Sequence, residues 1–164
     1  MNIYITGIGV ISAIGHNVQE NLEALKLKKS GITTLKNLAY KEAILVGEVD
    51  LTNAELIDQL EVEQPISRTS LLGLAAAKEA WGENTPQKEI KTGIISSTSV
   101  GGMDNTEKYY QQQLEQRPID LSLITTHDSG DTTERIAKEL GISGYINTVS
   151  TACSSGANAL MLGA

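Results

Sequence analysis

The sequence predicts an α/β fold in which a mixed, mostly parallel sheet is flanked by helices. Short apolar runs bounded by glycine and hydroxyl residues, at 2–12, 92–98 and 144–152, alternate with stretches whose apolar positions recur at helical spacing. No internal repeat or low-complexity linker interrupts the 164 residues, and 40% hydrophobic content suits one domain that buries most of its unfolded-chain surface.

Residues 2 to 12 thread Ile3, Ile5, Ile8, Val10 and Ile11 among glycines, a pattern for a buried strand with another backbone close by. Asn17 with Glu20 opens a helix that Leu22 and Leu25 make apolar on one side; Lys26, Lys28 and Lys29 favour its negative end, and Gly31 closes it. Ile32 to Tyr40 reads as loop and Ala43 to Val49 as an extended segment. Thr52 with Glu55 forms a capping box for a brief helix to about Gln59. After the break at Pro65, Ser67 caps a helix to Trp81 in which Leu71, Leu74, Ala75 and Lys78 recur at helical spacing.

Residues 92 to 98 read as a strand, and Gly101-Gly102 turns the chain into a polar, outward-lying helix over about Asp104 to Gln116. Pro118 to Ser129 lacks periodicity, a helix follows from about Asp131 to Leu140, and Gly141 closes it. Gly144 to Ala152 is then a strand running straight into a helix, with the only cysteine, Cys153, at the junction.

A net charge of -7 argues against nucleic acid, since phosphate contacts need concentrated Lys and Arg. One cysteine excludes an internal disulfide. No run approaches the roughly 20 apolar residues needed to cross a bilayer, and no basic leader is present, so no membrane partner and a cytoplasmic protein are expected. Gly7-Ile8-Gly9 lacks the third glycine of a dinucleotide fingerprint. His16 reads as an exposed turn residue. His127 has Asp128 and Asp131 near it, but no second His or Cys falls at ligand spacing, so no metal is expected.

Cys153 has two readings from its residues alone. A thiol at a helix start faces backbone N–H groups with no intrahelical partner and the positive end of the helix dipole, both of which suit a charged nucleophile; the same groups can stabilise an oxyanion. A free cysteine is also a small hydrophobe that packs well in a core. The stretch from Cys153 onward carries no charge and is rich in small residues, which predicts a helix buried on all sides.

Thr151-Ala152-Cys153-Ser154-Ser155-Gly156 followed by Ala157-Asn158-Ala159 resembles the active-site elbow of the β-ketoacyl-acyl carrier protein synthases, condensing enzymes of the thiolase-like fold. Three further stretches match in order: 6–15 (Thr-Gly-Ile-Gly-Val-Ile-Ser-Ala-Ile-Gly), Leu74-Ala75-Ala76-Ala77-Lys78-Glu79-Ala80, and 92–102 (Thr-Gly-Ile-Ile-Ser-Ser-Thr-Ser-Val-Gly-Gly). The resemblance covers nearly the whole chain and implies the N-terminal half of a thiolase-like fold. Residues 1–164 would be a β-ketoacyl synthase N-terminal domain, and because the sequence stops at Met161-Leu162-Gly163-Ala164 it is expected to be cut within the nucleophile helix.

The implied chemistry is a decarboxylative Claisen condensation in fatty acid or polyketide synthesis. Cys153 takes an acyl group, its backbone N–H forms part of the oxyanion hole, and a malonyl unit on acyl carrier protein attacks after losing carbon dioxide. The family's two catalytic histidines, its lysine and its gating phenylalanine have no counterpart here, so the chain alone is expected to be inactive in condensation. The resemblance implies substrate contacts at Val100, Ala152 and Ile124, no cofactor beyond the carrier's phosphopantetheine, acyl carrier protein as partner, and a homodimer through the strand Gly144 to Ser150. The family's basic carrier-docking patch is replaced by Glu61-Val62-Glu63-Gln64 with only Arg68 nearby, leaving Lys26, Lys28, Lys29, Lys36 and Lys41 as the alternative surface. Two other functions stay open: a thiolase-like acyltransferase on coenzyme A thioesters, and a non-catalytic half that only associates with a partner chain.

Overall fold

The computed structural model describes residues 2–36, 43–85 and 89–164. Lys41 of the expected basic surface lies outside them. In chain order the elements are α1 (Val18–Lys26), β1 (Ile32–Thr34), β2 (Leu45–Gly47), α2 (Asn53–Leu60), α3 (Arg68–Trp81), β3 (Ile94–Ser97), α4 (Met103–Leu114), a 3-10 turn at Leu121–Thr126, α5 (Ser129–Glu139), β4 (Ile146–Val149), a second 3-10 turn at Ala152–Ser154, and α6 (Ser155–Gly163).

The helix starts follow from their caps. Asn17 accepts from the Glu20 N–H, Thr52 and Glu55 form the reciprocal capping box, and Ser67 accepts from the Ser70 N–H. Lys78 donates to Leu60 O at 2.8 Å, so α3 satisfies an end carbonyl of α2. Gly141 ends α5 at φ 67, as its sequence predicts. Gly31 does not end α1: the helix stops at Lys26, and Lys28 itself takes the left-handed conformation at φ 53.

Leu56, Leu60, Ile66, Leu71, Leu74 and Ile136 form the core between α2, α3 and α5. β3 and β4 pair in parallel, from Ile94 opposite Ile146 to Ser97 opposite Val149, joined by the crossover through α4 and α5. Because side chains alternate along a strand, neighbouring residues report the two faces of this pair. Ser96 and Thr148 both hydrogen-bond Thr133 of α5, whereas Gly156 of α6 lies over Ser97, so α5 and α6 cover opposite faces.

Three expectations change. Residues 2 to 11 form no ladder and Ile3, Ile5 and Ile8 are exposed rather than buried, while Gly7 and Gly9 press so closely on the carbonyls of Ala80 and Ala76 that a Cβ at either would overlap them. The close backbone that the glycines predict is α3 rather than another strand. Ile32–Thr34, read as loop, is a strand antiparallel to β2. α6 is not buried: Leu160, Met161 and Leu162 are 78%, 73% and 61% exposed and only Ser155 is buried, because Leu160 and Leu162 line an open cavity with Ile3, Ile5 and Ile95 that nothing among the described residues fills.

Candidate active site

Parallel pairing brings the segments after β3 and β4 out at the same edge of the sheet, the edge where open α/β sheets bind ligands. After β3 come Thr98, Ser99, Val100 and the Gly101-Gly102 turn; after β4 come Ser150, Thr151, Ala152 and Cys153. Cys153 is exposed. The reading of this thiol as a buried small hydrophobe is thereby set aside.

The turn that carries Cys153 is sharp. Ala152 adopts φ 52, a left-handed conformation that costs a residue with a Cβ of order 1–2 kcal/mol. Cys153 sits in the 3-10 turn at 152–154, two residues before α6 begins at Ser155. Hydroxyls surround it. Ser154 Oγ donates to Thr151 O at 2.8 Å, Asn158 Nδ2 donates to Thr151 Oγ1 at 2.8 Å, and the hydroxyl of Ser155, a buried residue, accepts from the Thr151 N–H and donates to Ala152 O.

The loop after β3 is pinned against the end of the first 3-10 turn. Gly101, at φ 58, has no room for a Cβ beside His127 O, and the Gly102 N–H donates to that carbonyl at 3.3 Å. Thr98 Oγ1 accepts from the N–H groups of Val100 and Gly101. Val100 is therefore held half exposed rather than packed in the core. Ile124 is 43% exposed on the same 3-10 turn. At the start of that turn, the hydroxyl and N–H of Ser122 hold the Asp120 carboxyl below the ordinary carboxylate range.

His127 Nδ1 lies 2.8 Å from Thr106 Oγ1, and His16 is exposed before α1. Among the described residues no group of three or more His, Cys, Asp or Glu is placed to hold a metal. No helix among them is long and apolar enough to cross a membrane. Arg68 is spent within the fold, donating to Leu51 O, Asn53 Oδ1 and Val49 O at 2.8 to 3.0 Å, which removes the one cation of the stretch where a docking patch was sought. Lys36 is paired with Asp50 at 3.2 Å. Sequence reasoning missed Ser155 and Asn158 as supports of the turn; the available signal was a hydroxyl three residues after Ala152 and an amide seven after Thr151.

The sequence profile described as beta-ketoacyl synthase, N-terminal domain, matches residues 1–164. The chain belongs to the β-ketoacyl synthase family. Curated relatives include the 3-oxoacyl-[acyl-carrier-protein] synthase 2 of Vibrio harveyi, 24% identical over 94% of this chain and 39% of the relative. Another is its namesake from Staphylococcus aureus strain MRSA252, 26% identical over 98% of this chain and 41% of the relative. A putative mitochondrial 3-oxoacyl-[acyl-carrier-protein] synthase of Schizosaccharomyces pombe is 25% identical over 96% of this chain and 41% of the relative. The chain thus spans about two fifths of the length of the curated family members it matches.

Among solved structures, the ishigamide ketosynthase/chain length factor superposes with a TM-score of 0.78 at 23% identity, over 97% of this chain and 44% of that one, a likeness of fold. The ketosynthase ApeO in complex with its chain length factor ApeC, from Xenorhabdus doucetiae, gives 0.74 at 25% identity, over 98% of this chain and 42% of that one. The fold of this chain is that of a ketosynthase N-terminal domain, with the thiolase-like mixed α/β arrangement that its sequence motifs imply.

Proposed function

We propose that this β-ketoacyl synthase domain supplies the acyl-accepting half of a decarboxylative condensation. Cys153 attacks the carbonyl of an acyl thioester carried by acyl carrier protein; a carbon–sulfur bond to Cys153 forms, the bond to the carrier's pantetheine sulfur breaks, and the carrier leaves as a thiol. A malonyl thioester then loses carbon dioxide, and the carbanion left behind attacks the acyl group and releases the Cys153 sulfur. Decarboxylation needs groups that stabilise an enolate, and neither His16 nor His127 stands in a matching motif, so those groups belong to the parts of the enzyme that the relatives have and this chain does not span.

The observation that supports the reading best is the exposed Cys153 on a left-handed turn at the carboxyl edge of the β3–β4 pair. Val100 and Ile124, half exposed on pinned loops, are the candidate contacts for the acyl chain, with Ala152 at the carbonyl end. The partners proposed are acyl carrier protein and a second copy of the chain along β4.

Intact-mass measurement after incubation with acyl-loaded carrier protein tests this. An acyl adduct that disappears in Cys153→Ala, without any condensation product from the chain alone on adding malonyl carrier protein, is expected. Acylation by coenzyme A thioesters but not by carrier thioesters would turn the reading toward a thiolase-like transferase, and no adduct from either would overturn it.

A further inference from the structure

We infer that Ser155 is a positioning residue whose side chain clasps the left-handed turn at Ala152 and thereby fixes where Cys153 presents its sulfur. The inference deepens the reading of Cys153 as acyl acceptor and rests on it for its catalytic meaning.

Four observations carry it. Ala152 is at φ 52, where its Cβ crowds its own backbone and only glycine rests without penalty. Such a conformation persists only where surrounding bonds over-determine it. The Ser155 hydroxyl supplies two of them, accepting from the Thr151 N–H at 2.8 Å and donating to Ala152 O at 2.7 Å, so one side chain ties the N–H of the residue before the strained one to the strained residue's own carbonyl. The Ser155 N–H donates to the same Ala152 carbonyl. The hydroxyl gives its one proton and accepts another, and at 5% exposure Ser155 is shielded from water that would compete for either bond.

Among the described residues no other side chain bonds the backbone on both sides of Ala152. Ser154 reaches Thr151 O and Oγ1, and Asn158 reaches Thr151 Oγ1 and Ser154 Oγ, so neither side chain touches the Ala152 carbonyl on the far side of the strained residue. α6 itself makes little contact beyond its first turns, since Leu160 to Leu162 are exposed, so the helix does not press the turn into shape from below. Without the clasp, Ala152 is free to relax toward negative φ, which swings the following residue, Cys153, away from its present place.

The test measures Ser155→Ala in two backgrounds, with a geometric and a chemical readout. The three-bond coupling between the amide and α protons of Ala152, with its Cα chemical shift, reports φ directly. Acylation of Cys153 by an acyl-carrier thioester reports function. Ser155→Ala should move Ala152 out of the left-handed region and slow acylation on the order of tenfold, the equivalent of the strain it no longer holds. In the Ala152→Gly background the same substitution should slow acylation less than about threefold, because glycine occupies that region unaided and the clasp becomes dispensable.

Ser155→Thr, which keeps the hydroxyl, should retain both readouts. A buried hydroxyl with a merely structural role would cost the same in both backgrounds, and that result overturns the inference, as does an Ala152 that stays left-handed in Ser155→Ala. Should Ser155→Ala fail to fold, a folded and acylated Ala152→Gly/Ser155→Ala double variant supports the clasp, and an unfolded double variant overturns it. If Ala152 moves as expected but no variant, the parent included, is ever acylated, the clasp stands and the acyl-acceptor reading fails.

Discussion

Replacing Glu79 should detach the N-terminal segment from α3. The Glu79 carboxylate accepts from the Val10 N–H at 2.9 Å through one oxygen and from the Val18 N–H at 2.7 Å through the other. Residues 2 to 11 have no ladder of their own, and the Val18 N–H is one of the groups at the start of α1 that the helix cannot satisfy internally. Hydrogen bonds to a charged acceptor contribute about 1.5–3 kcal/mol each, and both are partly buried, so the lower end applies and Glu79→Ala should cost about 3 kcal/mol. For a domain of this size that lowers the thermal midpoint by roughly 6–12 °C. Glu79→Gln is no remedy: its single carbonyl oxygen serves one N–H while its NH2 faces the other, so at least half the loss should persist. Thermal unfolding followed by circular dichroism, with amide exchange at Val10 and Val18, is the assay. A midpoint within about a degree of the parent and unchanged protection of both amides would refute the reasoning.

Three further outcomes are expected. Reversing the charge of Lys26, Lys28 and Lys29 should slow association with an acidic carrier protein several-fold at low salt and flatten its salt dependence, measured by stopped-flow binding; unchanged rates would remove the patch from docking. On the proposed pairing along β4, at whose start Tyr145 and Ile146 are 63% and 42% exposed, Ile146→Lys should shift the sedimentation velocity toward the monomer, since a lysine on an open edge opposes strand pairing. Glu55 is held below the ordinary carboxylate range by the Thr52 N–H first and the Thr52 hydroxyl second. A lowered folded value gives stability that is present above the unfolded value and is lost as pH falls through the folded one, so the thermal midpoint of Glu55→Gln should drop less steeply on acidification than that of the parent.

What the sequence made legible was local. The caps at Asn17, Thr52 and Ser67 and the stop at Gly141 involve residues within four positions of one another, and each is where its pattern puts it. Cys153 at the junction after β4 was legible for the same reason. What was not legible depends on distant neighbours. Ile3, Ile5 and Ile8 have strand character, yet a strand exists only with a ladder partner; they are exposed, and the backbone that Gly7 and Gly9 meet is the flank of α3. The uncharged run after Cys153 marks a helix meant to be covered, but composition does not say by what; in this chain Leu160 and Met161 face outward. Arg68 offered a charge for docking, and only the fold reveals three acceptors waiting for it.

The exposure of α6 also bears on where the geometry of the nucleophile comes from. A nine-residue helix is marginal by itself, so its order must come from packing or from bonds at its start. Packing covers only the first turns, where Gly156 lies over Ser97, whereas the side chains of Ser154, Ser155 and Asn158 tie that start to Thr151 and Ala152. The β3–β4 ladder reaches Val149, two residues before Thr151, and Val149 is buried. Cys153 is thus held from the strand side by the ladder and from the helix side by hydroxyls and one amide, while the side chains of the distal turn of α6 are exposed. Within the run Thr-Ala-Cys-Ser-Ser-Gly the hydroxyls of Ser154 and Ser155 bond backbone groups of the turn they belong to, while the Thr151 hydroxyl accepts from the Ser154 hydroxyl and the Asn158 amide.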